Sequence, residues 1–398
     1  MVPKRRFGRQ LVGQNIFSIH NRVELIKGGA GYFDRLEAMI DSAQHTLHLH
    51  TYIFDEDETG RKVAAALVRA VQRKVAVYLL VDGYASGSLS ESFTNSLIKA
   101  GIHFAFFNRV FKSGHFYLGR RLHHKVVVAD GTVCMVAGLN ISNRYNDMGT
   151  VRAWLDWAFY AEGEVARQMH AVCARVWNRS PRRENCVITL KRTIPLLNDS
   201  CAIRIRRNDW LYKKTEITRC FRDLFRQSEK YVTVMTGYFW PPQRLLQQMD
   251  KASKRGVTIK LILTARADVP LSKYTERYLY GRLLRNNIEI YEYQDNILHG
   301  KIAVRDDAWI TGGSYNMNNI SAFASVELNL EVNNADLAIT VNDQLQSIIN
   351  NSCRRVVKEE YYATNNILKR FFYFLSYKMT HIIFFLFTFY FRQRNWNE

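Results

Sequence analysis

A short stretch that occurs twice constrains the fold of this chain more than any other feature. HHKVVVAD spans residues 123–130, and HGKIAVRD spans residues 299–306. In each copy a histidine and a lysine two residues apart precede a short apolar run that is typical of a buried strand, and an aspartate ends it. Because alternate residues of a strand point to the same face, each His–Lys pair projects together. The duplication predicts two copies of one folding unit.

The residues around each copy repeat in the same order. Strand-like and helix-like stretches alternate in both halves, which predicts sheets covered by helices and an α/β fold class. We expect two similar lobes, each a mixed, largely parallel sheet flanked by helices, packed about a pseudo-twofold axis. The matching stretches are HTLHLHTYIF (45–54), KVAAALVRAVQRKV (62–75), VAVYLLVDG (75–83) and GIHFAFFN (101–108) in the first half, and KYVTVMTGYFW (230–240), QRLLQQMDKASKRGV (243–257), VTIKLILT (257–264) and NIEIYEYQ (287–294) in the second.

The predicted organisation has four parts. A basic segment (residues 1–19) lacks the apolar core of a secretory signal, so we expect the chain to start in the cytoplasm. The first lobe covers residues 20–180 and the second covers residues 200–355, with NRSPRRENC breaking the pattern between them. A hydrophobic segment, residues 365–398, follows and is expected to associate with a membrane.

That last segment contains FFYFLSYKMTHIIFFLFTFYF (371–391), interrupted by Lys378 and His381. A spanning helix needs roughly 20 apolar residues. The interruption favours a membrane-inserting or interfacial segment. A true span and a helix docked on the protein core are the alternatives.

Charge and cysteine content limit the class of protein. The net charge of +20 favours polyanionic partners, either nucleic acid or the anionic face of a membrane. None of the six cysteines forms a C-x-x-C pair, so we expect buried thiols in a reducing compartment, without a disulfide framework or a zinc site.

The two stretches carry a set of groups suited to a phosphodiester. An asparagine follows each copy at the same offset, after a glycine-containing turn. Lysines and asparagine amides can stabilise phosphoryl oxygens, one histidine can attack phosphorus, and the other can move a proton. No metal or cofactor is expected, because the lysines supply the positive charge. The predicted residues are His123, Lys125, Asp130 and Asn140 in the first lobe, and His299, Lys301, Asp306 and Asn316 in the second.

Two other features are expected to have no chemical role. They are distinguished from the motif, because a single His-x-Lys before a strand is common, whereas two copies with matching Asp and Asn offsets indicate function. His124 occupies the variable position of the first copy and is expected to be non-catalytic. The acidic run Asp55–Glu58 is expected to form a solvated turn and a helix N-terminus rather than a metal site.

The duplicated pattern resembles the signature of the phospholipase D superfamily, over roughly residues 20–355. TYIFDEDETG (51–60) and LLVDGYASGS (79–88) are similar to segments of bacterial cardiolipin synthases of this type. The resemblance implies that His123 is the nucleophile and His299 the general acid and base. It also implies that Asp156, in WLDW, and Glu327, in SVEL, orient the histidines. Asp130 and Asp306 belong to the motif but follow the strands, so they are expected to anchor local structure more than to react.

The chain departs from the family pattern at two places. The first turn is Ala-Gly where Gly-Gly is common, and a local adjustment of the backbone is expected there. NMNNISAFASVE, which follows the second copy, lacks the arginine often found after the asparagine, so the resemblance does not extend to the secondary contact of that arginine.

The resemblance implies a transfer between lipids. His123 takes a phosphatidyl group from one phospholipid, expected to be phosphatidylglycerol, and glycerol leaves; the head-group hydroxyl of a second phosphatidylglycerol then accepts the group to give cardiolipin. The implied partners are anionic phospholipids and the membrane surface, and the implied location is the cytoplasmic side of the cell membrane, peripheral or anchored by the C-terminal segment.

Three other functions remain open. One is a hydrolase of the phospholipase D type or a nuclease that uses water, although a nuclease does not need the hydrophobic tail. Another is a transferase that uses serine or another alcohol as acceptor. The last is a membrane scaffold without catalysis, which two complete motifs argue against.

Overall fold

The computed structural model describes residues 16–109, 111–112, 115–116, 120–179, 186 and 201–386. Four expectations lie wholly or mostly outside the described residues. One is that VFKSGHFYLGRR (110–121), which makes the first half longer than the second, forms a loop at the entrance of the site. The others are the basic segment up to residue 15, the junction between the lobes, and the end of the hydrophobic segment after residue 386.

The first lobe contains a seven-stranded sheet in the order β1-β10-β9-β8-β2-β3-β4. Short strands β5 and β6 pair with each other, β7 pairs with the second lobe, and a 3-10 turn covers Asn143–Tyr145. The elements are β1 (Asn21–Lys27), α1 (Ala30–Ser42), β2 (Thr46–Thr51), α2 (Glu58–Gln72), β3 (Ala76–Asp82), α3 (Glu91–Lys99), β4 (His103–Phe107), β5 (Phe111–Lys112), β6 (His115–Phe116), β7 (Arg121–Leu122), β8 (Val126–Ala129), β9 (Val133–Ala137), β10 (Trp157–Gly163) and α4 (Glu164–Trp177).

The second lobe repeats this arrangement. Its sheet runs β12-β11-β18-β17-β16-β13-β14-β15-β19, so the seven strands from β11 to β15 have the same order as the first sheet. A 3-10 turn covers Trp210–Tyr212. The elements are β11 (Ala202–Asp209), β12 (Lys214–Thr215), α5 (Glu216–Gln227), β13 (Tyr231–Thr236), α6 (Gln243–Lys254), β14 (Thr258–Thr264), α7 (Pro270–Arg285), β15 (Glu289–Tyr293), β16 (Lys301–Arg305), β17 (Trp309–Gly313), α8 (Asn319–Phe323), β18 (Ser325–Asn333), α9 (Ala335–Ser352), β19 (Cys353–Arg355), α10 (Lys358–Thr364) and α11 (Ile367–Phe385).

The predicted fold class is confirmed, with one correction to the strand directions. In each lobe the strands joined through helices are parallel, as in β2–β3–β4 and β13–β14–β15. The other pairs in the repeated seven-strand unit are antiparallel, so "largely parallel" is wrong for these sheets. For the pairs β8–β9 and β16–β17 the physical reason is the short turn after each motif strand, because only antiparallel strands can be joined by so few residues.

The apolar run of each motif is buried on both faces of its strand. In β8, Val127 and Ala129 belong to the core of the first lobe, whereas Val126 and Val128 belong to a second core. This second core also contains residues of β16, β17 and β18, so it lies between the two sheets. The lobes therefore share a hydrophobic core, and both motif strands lie beside it.

The C-terminal helix α11 packs along α7 through aromatic and hydroxyl contacts. The rings of Tyr274 and Phe372 are 4.9 Å apart, and the hydroxyls of Thr275 and Thr380 are 2.8 Å apart. The opposite face of α11 is exposed and apolar, and includes Phe371, Leu375 and Ile382. No helix within the described residues combines the length and the apolarity needed to cross a bilayer.

Candidate active site

His123 lies where the first lobe meets the second. Its backbone N–H donates to the carbonyl of Val326, 3.0 Å away, because β7 pairs with the start of β18. This pairing brings Nδ1 of His123 to 2.9 Å from Oε2 of Glu327. A carboxylate at this position favours the hydrogen on Nδ1 and leaves the lone pair on Nε2.

His299 has the reciprocal arrangement. Its backbone N–H donates to the carbonyl of Leu155, 2.8 Å away, where Leu155 and Leu298 form a parallel bridge. Nδ1 of His299 lies 2.6 Å from Oδ2 of Asp156. Each histidine is therefore held by a carboxylate of the other lobe, and the site is complete only when the lobes are together.

The turns after β9 and β17 make room for these carboxylates. A Cβ atom at Gly138 would lie 2.1 Å from Oδ1 of Asp156, so only glycine fits beside that side chain. The corresponding residue of the second lobe is Ser314, whose hydroxyl donates to Oε2 of Glu327. The glycine-containing turns predicted from the sequence thus lie directly against the two carboxylates.

The two motif lysines are buried behind the histidines. Nζ of Lys125 donates to the carbonyl of His123 at 2.9 Å. Nζ of Lys301 donates to the carbonyl of His299 and lies 3.5 Å from Oδ2 of Asp156. Burial lowers the pKa of both lysines, and in Lys125 the charge of Lys301 lowers it further. Burial therefore disfavours the charged form of both lysines, and a bound anion would favour it.

Both histidines are held in the neutral form in the absence of substrate. Burial lowers the pKa of His123, against the opposing effect of Glu327. Burial and the adjacent Lys301 lower the pKa of His299 to about 3. An anionic phosphate between the rings would favour protonation, since a nearby opposite charge stabilises the imidazolium.

The two motif asparagines line the same cavity but differ in their contacts. The Oδ1 atom of Asn140 accepts from the N–H of Ile53 at 3.1 Å, and its Nδ2 donates to the hydroxyl of Tyr145 at 2.9 Å. Asn316 is buried, and its Oδ1 has no hydrogen-bond partner in the part of the chain that the structure describes. The amide of Asn316 is therefore the less constrained of the two.

A cavity of about 450 Å³ is lined by both motif histidines and both motif asparagines, whereas the two lysines lie behind the histidines. One part is polar and contains both histidines, both asparagines and two arginines. The other part is apolar and is formed by residues around the start of α7, by α8 and by α11. The principal lining residues are His123, Asn140, His299, Asn316, Arg121 and Arg144 in the polar part, and Trp240, Val269, Leu271, Ile320 and Ile383 in the apolar part.

Asp130 and Asp306 lie at the far ends of their strands from the histidines. The carboxylate of Asp130 accepts from the backbone N–H groups of residues 44–46 at 2.8–2.9 Å. The carboxylate of Asp306 accepts from those of residues 229–231 at 2.9 Å. Both side chains fasten the turn to the neighbouring strand, as their positions after the strands predict, and we exclude them from the chemistry proposed below.

The remaining predicted features also have structural positions. The acidic run forms a turn and the start of α2, where Asp57 accepts from the N–H of Gly60 at 2.9 Å. Asp55 pairs with Arg144 at 3.0 Å. His124 is buried and its ring stacks against that of His50 rather than lining the cavity.

Sequence reasoning missed several residues that border the histidines. The hydroxyl of Tyr145 lies 3.5 Å from Nε2 of His299, and the ring of Tyr52 contacts His123 at 4.8 Å between centroids. Arg121 and Arg144 line the cavity as well. Tyr52 matches Tyr238 of the second repeat, so the repeat itself could have identified this tyrosine as a site residue. Tyr145, Arg121 and Arg144 have no counterpart in the repeated pattern.

Comparison with known proteins agrees with this geometry. A family model described as "Cardiolipin synthase, PLD-like domain" matches residues 36–177 and 221–350, one match in each lobe. Cardiolipin synthase B of Salmonella typhi is 32% identical over 348 residues, which cover 84% of this chain and 82% of that protein. Cardiolipin synthase B of Escherichia coli K12 is 30% identical over 351 residues, with the same coverage of 84% and 82%.

A solved structure shows the same fold. Phosphatidylserine synthase of Haemophilus influenzae Rd KW20 superposes with a TM-score of 0.69 over 94% of this chain and 97% of that chain. The sequence identity is 14%, so this likeness concerns the fold alone. The duplicated two-sheet architecture is therefore shared with a protein of quite different sequence.

Proposed function

The chain belongs to the phospholipase D-like family of bacterial cardiolipin synthases and is a phosphatidyltransferase; from this premise we propose that it makes cardiolipin from two molecules of phosphatidylglycerol through a phosphohistidine intermediate. The observation that carries the proposal is the pair of crossed contacts, His123 with Glu327 and His299 with Asp156, at one cavity. Two histidines oriented this way provide one nucleophile and one proton carrier on either side of a phosphate.

In the first half-reaction Nε2 of His123 attacks the phosphorus of a bound phosphatidylglycerol. Glu327 keeps the ring hydrogen on Nδ1 and stabilises the positive charge that develops on the ring. The P–O bond to the head-group glycerol breaks as the N–P bond forms. His299, protonated once the anionic phosphate is bound, gives its Nε2 proton to the departing glycerol oxygen.

The second half-reaction reverses these steps with a different alcohol. The head-group hydroxyl of a second phosphatidylglycerol gives its proton to His299, and its oxygen attacks the phosphorus held by His123. The N–P bond breaks and cardiolipin leaves. Asp156 holds the His299 ring throughout, so one side chain can act first as acid and then as base.

The buried lysines and asparagines stabilise the phosphoryl oxygens. Lys125 and Lys301 are fixed to the histidine carbonyls, so both amino groups are in position before the substrate binds, and the anionic phosphate favours their charged form. Such preorganised charges, excluded from water, stabilise a developing negative charge more than solvated ones do. Asn140 and Asn316 border the same space and supply amide donors.

The shape of the cavity supports a lipid as substrate. Its polar part fits a phosphate and its apolar part continues toward α11, whose outer face is apolar. The net charge of +20 would attract an anionic membrane surface. We propose that the enzyme acts at the cytoplasmic face of the cell membrane, where α11 lies in the interface rather than across it.

Lipid analysis in cells that lack cardiolipin tests the proposal. We would express the wild type, His123→Ala, His299→Ala and, as a matched control, His45→Ala, whose side chain is exposed in the first lobe. Cardiolipin is expected with the wild type and the control alone. Phosphatidic acid without cardiolipin would identify a hydrolase instead, and an unchanged lipid profile would contradict the proposal.

The order of the two histidines has its own test. With a radiolabelled donor lipid and a rapid acid-free quench, His299→Ala is expected to retain label on the protein, because its nucleophile is intact. His123→Ala is expected to retain none. Label on His123→Ala but not on His299→Ala would reverse the assignment.

A further inference from the structure

A second group of chemically reactive side chains lies inside the first lobe, away from the cavity. His48 on β2, His170 on α4 and Cys186 are all buried, with 0%, 0% and 4% of their surface exposed. One potential ligand atom from each, a ring nitrogen or the sulfur, lies within 4.8 Å of the other two. We call these three residues the histidine–cysteine cluster.

The two imidazole rings of this cluster lack most of the hydrogen-bond partners that buried ring nitrogens normally have within the described residues. Neither ring nitrogen of His170 makes a hydrogen bond within the described residues, and Nδ1 of His48 makes none either. Nε2 of His48 lies 3.6 Å from Sγ of Cys186, and the two imidazole rings meet edge to face at 4.9 Å between centroids. Buried polar groups without partners are rare, and a bound ion is one of the explanations for them.

We propose that the histidine–cysteine cluster binds a single Zn²⁺ ion through the imidazoles of His48 and His170 and the thiolate of Cys186. Zinc bonds of about 2.0–2.3 Å place tetrahedral ligands about 3.3–3.8 Å apart. The His48–Cys186 separation already has this value, and small side-chain rotations bring the third ligand into range. The remaining coordination position takes water or another ligand.

The surroundings of the cluster suit a structural ion. The backbone N–H of Cys186 donates to Oδ1 of Asn178 at 2.8 Å, and Nδ2 of Asn178 donates back to the Cys186 carbonyl at 3.1 Å, so the cysteine is fixed at the end of α4. The ring of Tyr78 stacks on His48 at 4.9 Å, and its hydroxyl bonds to the thiol of Cys186. Hydrogen bonds to ligating atoms orient them and tune metal affinity.

The ion would connect two segments of the first lobe with a residue that follows that lobe in the chain. β2 supplies His48, α4 supplies His170, and the segment beyond α4 supplies Cys186. β2 also leads directly to Tyr52, which contacts His123. We infer that zinc stabilises the lobe that presents the nucleophile and takes no part in the chemistry itself.

Metal analysis of the full chain tests this proposal independently of activity. The protein would be purified, incubated with Zn²⁺, dialysed against metal-free buffer and analysed for elements. The variants are His170→Gln and Cys186→Ser, and the matched control is Cys220→Ser, a buried cysteine of the second lobe. Wild type and control are expected to retain close to one zinc ion per chain, and both cluster variants far less.

A spectroscopic measurement identifies the ligand. With Co²⁺ in place of zinc, wild type and control are expected to show a thiolate-to-cobalt charge-transfer band that Cys186→Ser lacks. Zinc should also raise the melting temperature of wild type and control, which reports on the ion even if a cluster variant folds poorly. The proposal would be overturned if the wild type retained no zinc, or if folded cluster variants retained as much zinc as the wild type. It would also be overturned if the site bound copper in place of zinc.

Discussion

At the scale of single residues, the site depends on charged groups that the fold removes from water. Lys125 is 3% exposed, and within the described residues its ammonium group donates to the carbonyl of His123 and has no carboxylate in hydrogen-bonding distance. Its pKa is lowered by burial and by Lys301, so the folded protein disfavours the charged form that the chemistry needs. Stability is thus lost at this position in favour of an anion-binding site.

Replacing Lys125 by methionine is expected to stabilise the protein and abolish transfer. The free energy of unfolding at pH 7 should rise by about 1–2 kcal/mol, measured by denaturant titration, because a buried charge is replaced by an apolar chain of similar length. The exposed Lys62→Met serves as control and should change stability by less than about 0.5 kcal/mol.

The difference in unfolding free energy between Lys125→Met and the wild type depends on pH, because the pKa of Lys125 is lowered in the folded state. In the unfolded chain the lysine keeps its ordinary pKa of 10.5, so the unfolded state binds more protons and wild-type stability rises as the pH increases toward that value. The advantage of Lys125→Met should therefore narrow between pH 7 and pH 10. If Lys125→Met were less stable than the wild type, or if its stability advantage grew with pH, Lys125 would not be destabilising.

Glu327→Gln removes the negative charge beside His123 and so tests the effect of that charge on the pKa of His123. The carboxylate raises the pKa of His123 against burial, so its removal should lower that pKa further. We expect the acidic limb of the kcat/KM profile to move to lower pH while kcat falls roughly 100-fold. Glu162→Gln, on β10, is the control. A limb that moves to higher pH, or an unchanged kcat, would contradict the proposed pairing.

At the scale of elements, the sequence was most informative where one strand carries the whole signal. β8 and β16 were predictable because each is a short apolar run, and in β8 alternate residues pack into two different cores. The antiparallel pairing of β1 with β10 joins residues far apart in the chain and left no local signal. The docking of α11 on α7 was only an alternative in the sequence analysis, because an aromatic run has the same composition whether it faces lipid or other rings.

Gly138→Ala tests the close approach of the turn after β9 to the carboxylate of Asp156. A Cβ atom would lie 2.1 Å from Oδ1, so the carboxylate must move and release Nδ1 of His299. We expect kcat to fall roughly 100-fold. Gly31→Ala, where an added Cβ meets nothing within 4 Å, is the matched control and should retain activity. Full activity of Gly138→Ala would show that the contact is unimportant.

The exposed face of α11 is expected to bind anionic vesicles. Leu375→Glu and Ile382→Glu place charges on that face, where the native side chains are 45% and 59% exposed. Each should weaken binding about tenfold in a flotation assay, because burial of such a side chain contributes about 1.5–3 kcal/mol. Ile98→Glu, at an equally exposed position on α3, should leave binding unchanged. Equal losses in all three variants would exclude a specific membrane face.

At the scale of the whole molecule, the duplication explains why the site belongs to neither lobe alone. Each histidine is paired with a carboxylate more than a hundred residues away, across a core that both sheets share. The sequence identified all four side chains, two of them from family resemblance alone, but the crossed pairing follows from the packing. Likewise, the histidine–cysteine cluster joins three distant segments, so a search for paired cysteines could not find it.

The measurement that tests the central claim most directly is a product balance with purified protein. Vesicles of phosphatidylglycerol labelled in the head-group glycerol would be incubated with the wild type, and cardiolipin, free glycerol and phosphatidic acid would be quantified together. We predict cardiolipin and labelled glycerol in equal amounts, both absent with His123→Ala. Labelled glycerol accompanied by phosphatidic acid instead of cardiolipin would contradict transfer between lipids and leave a hydrolase in its place.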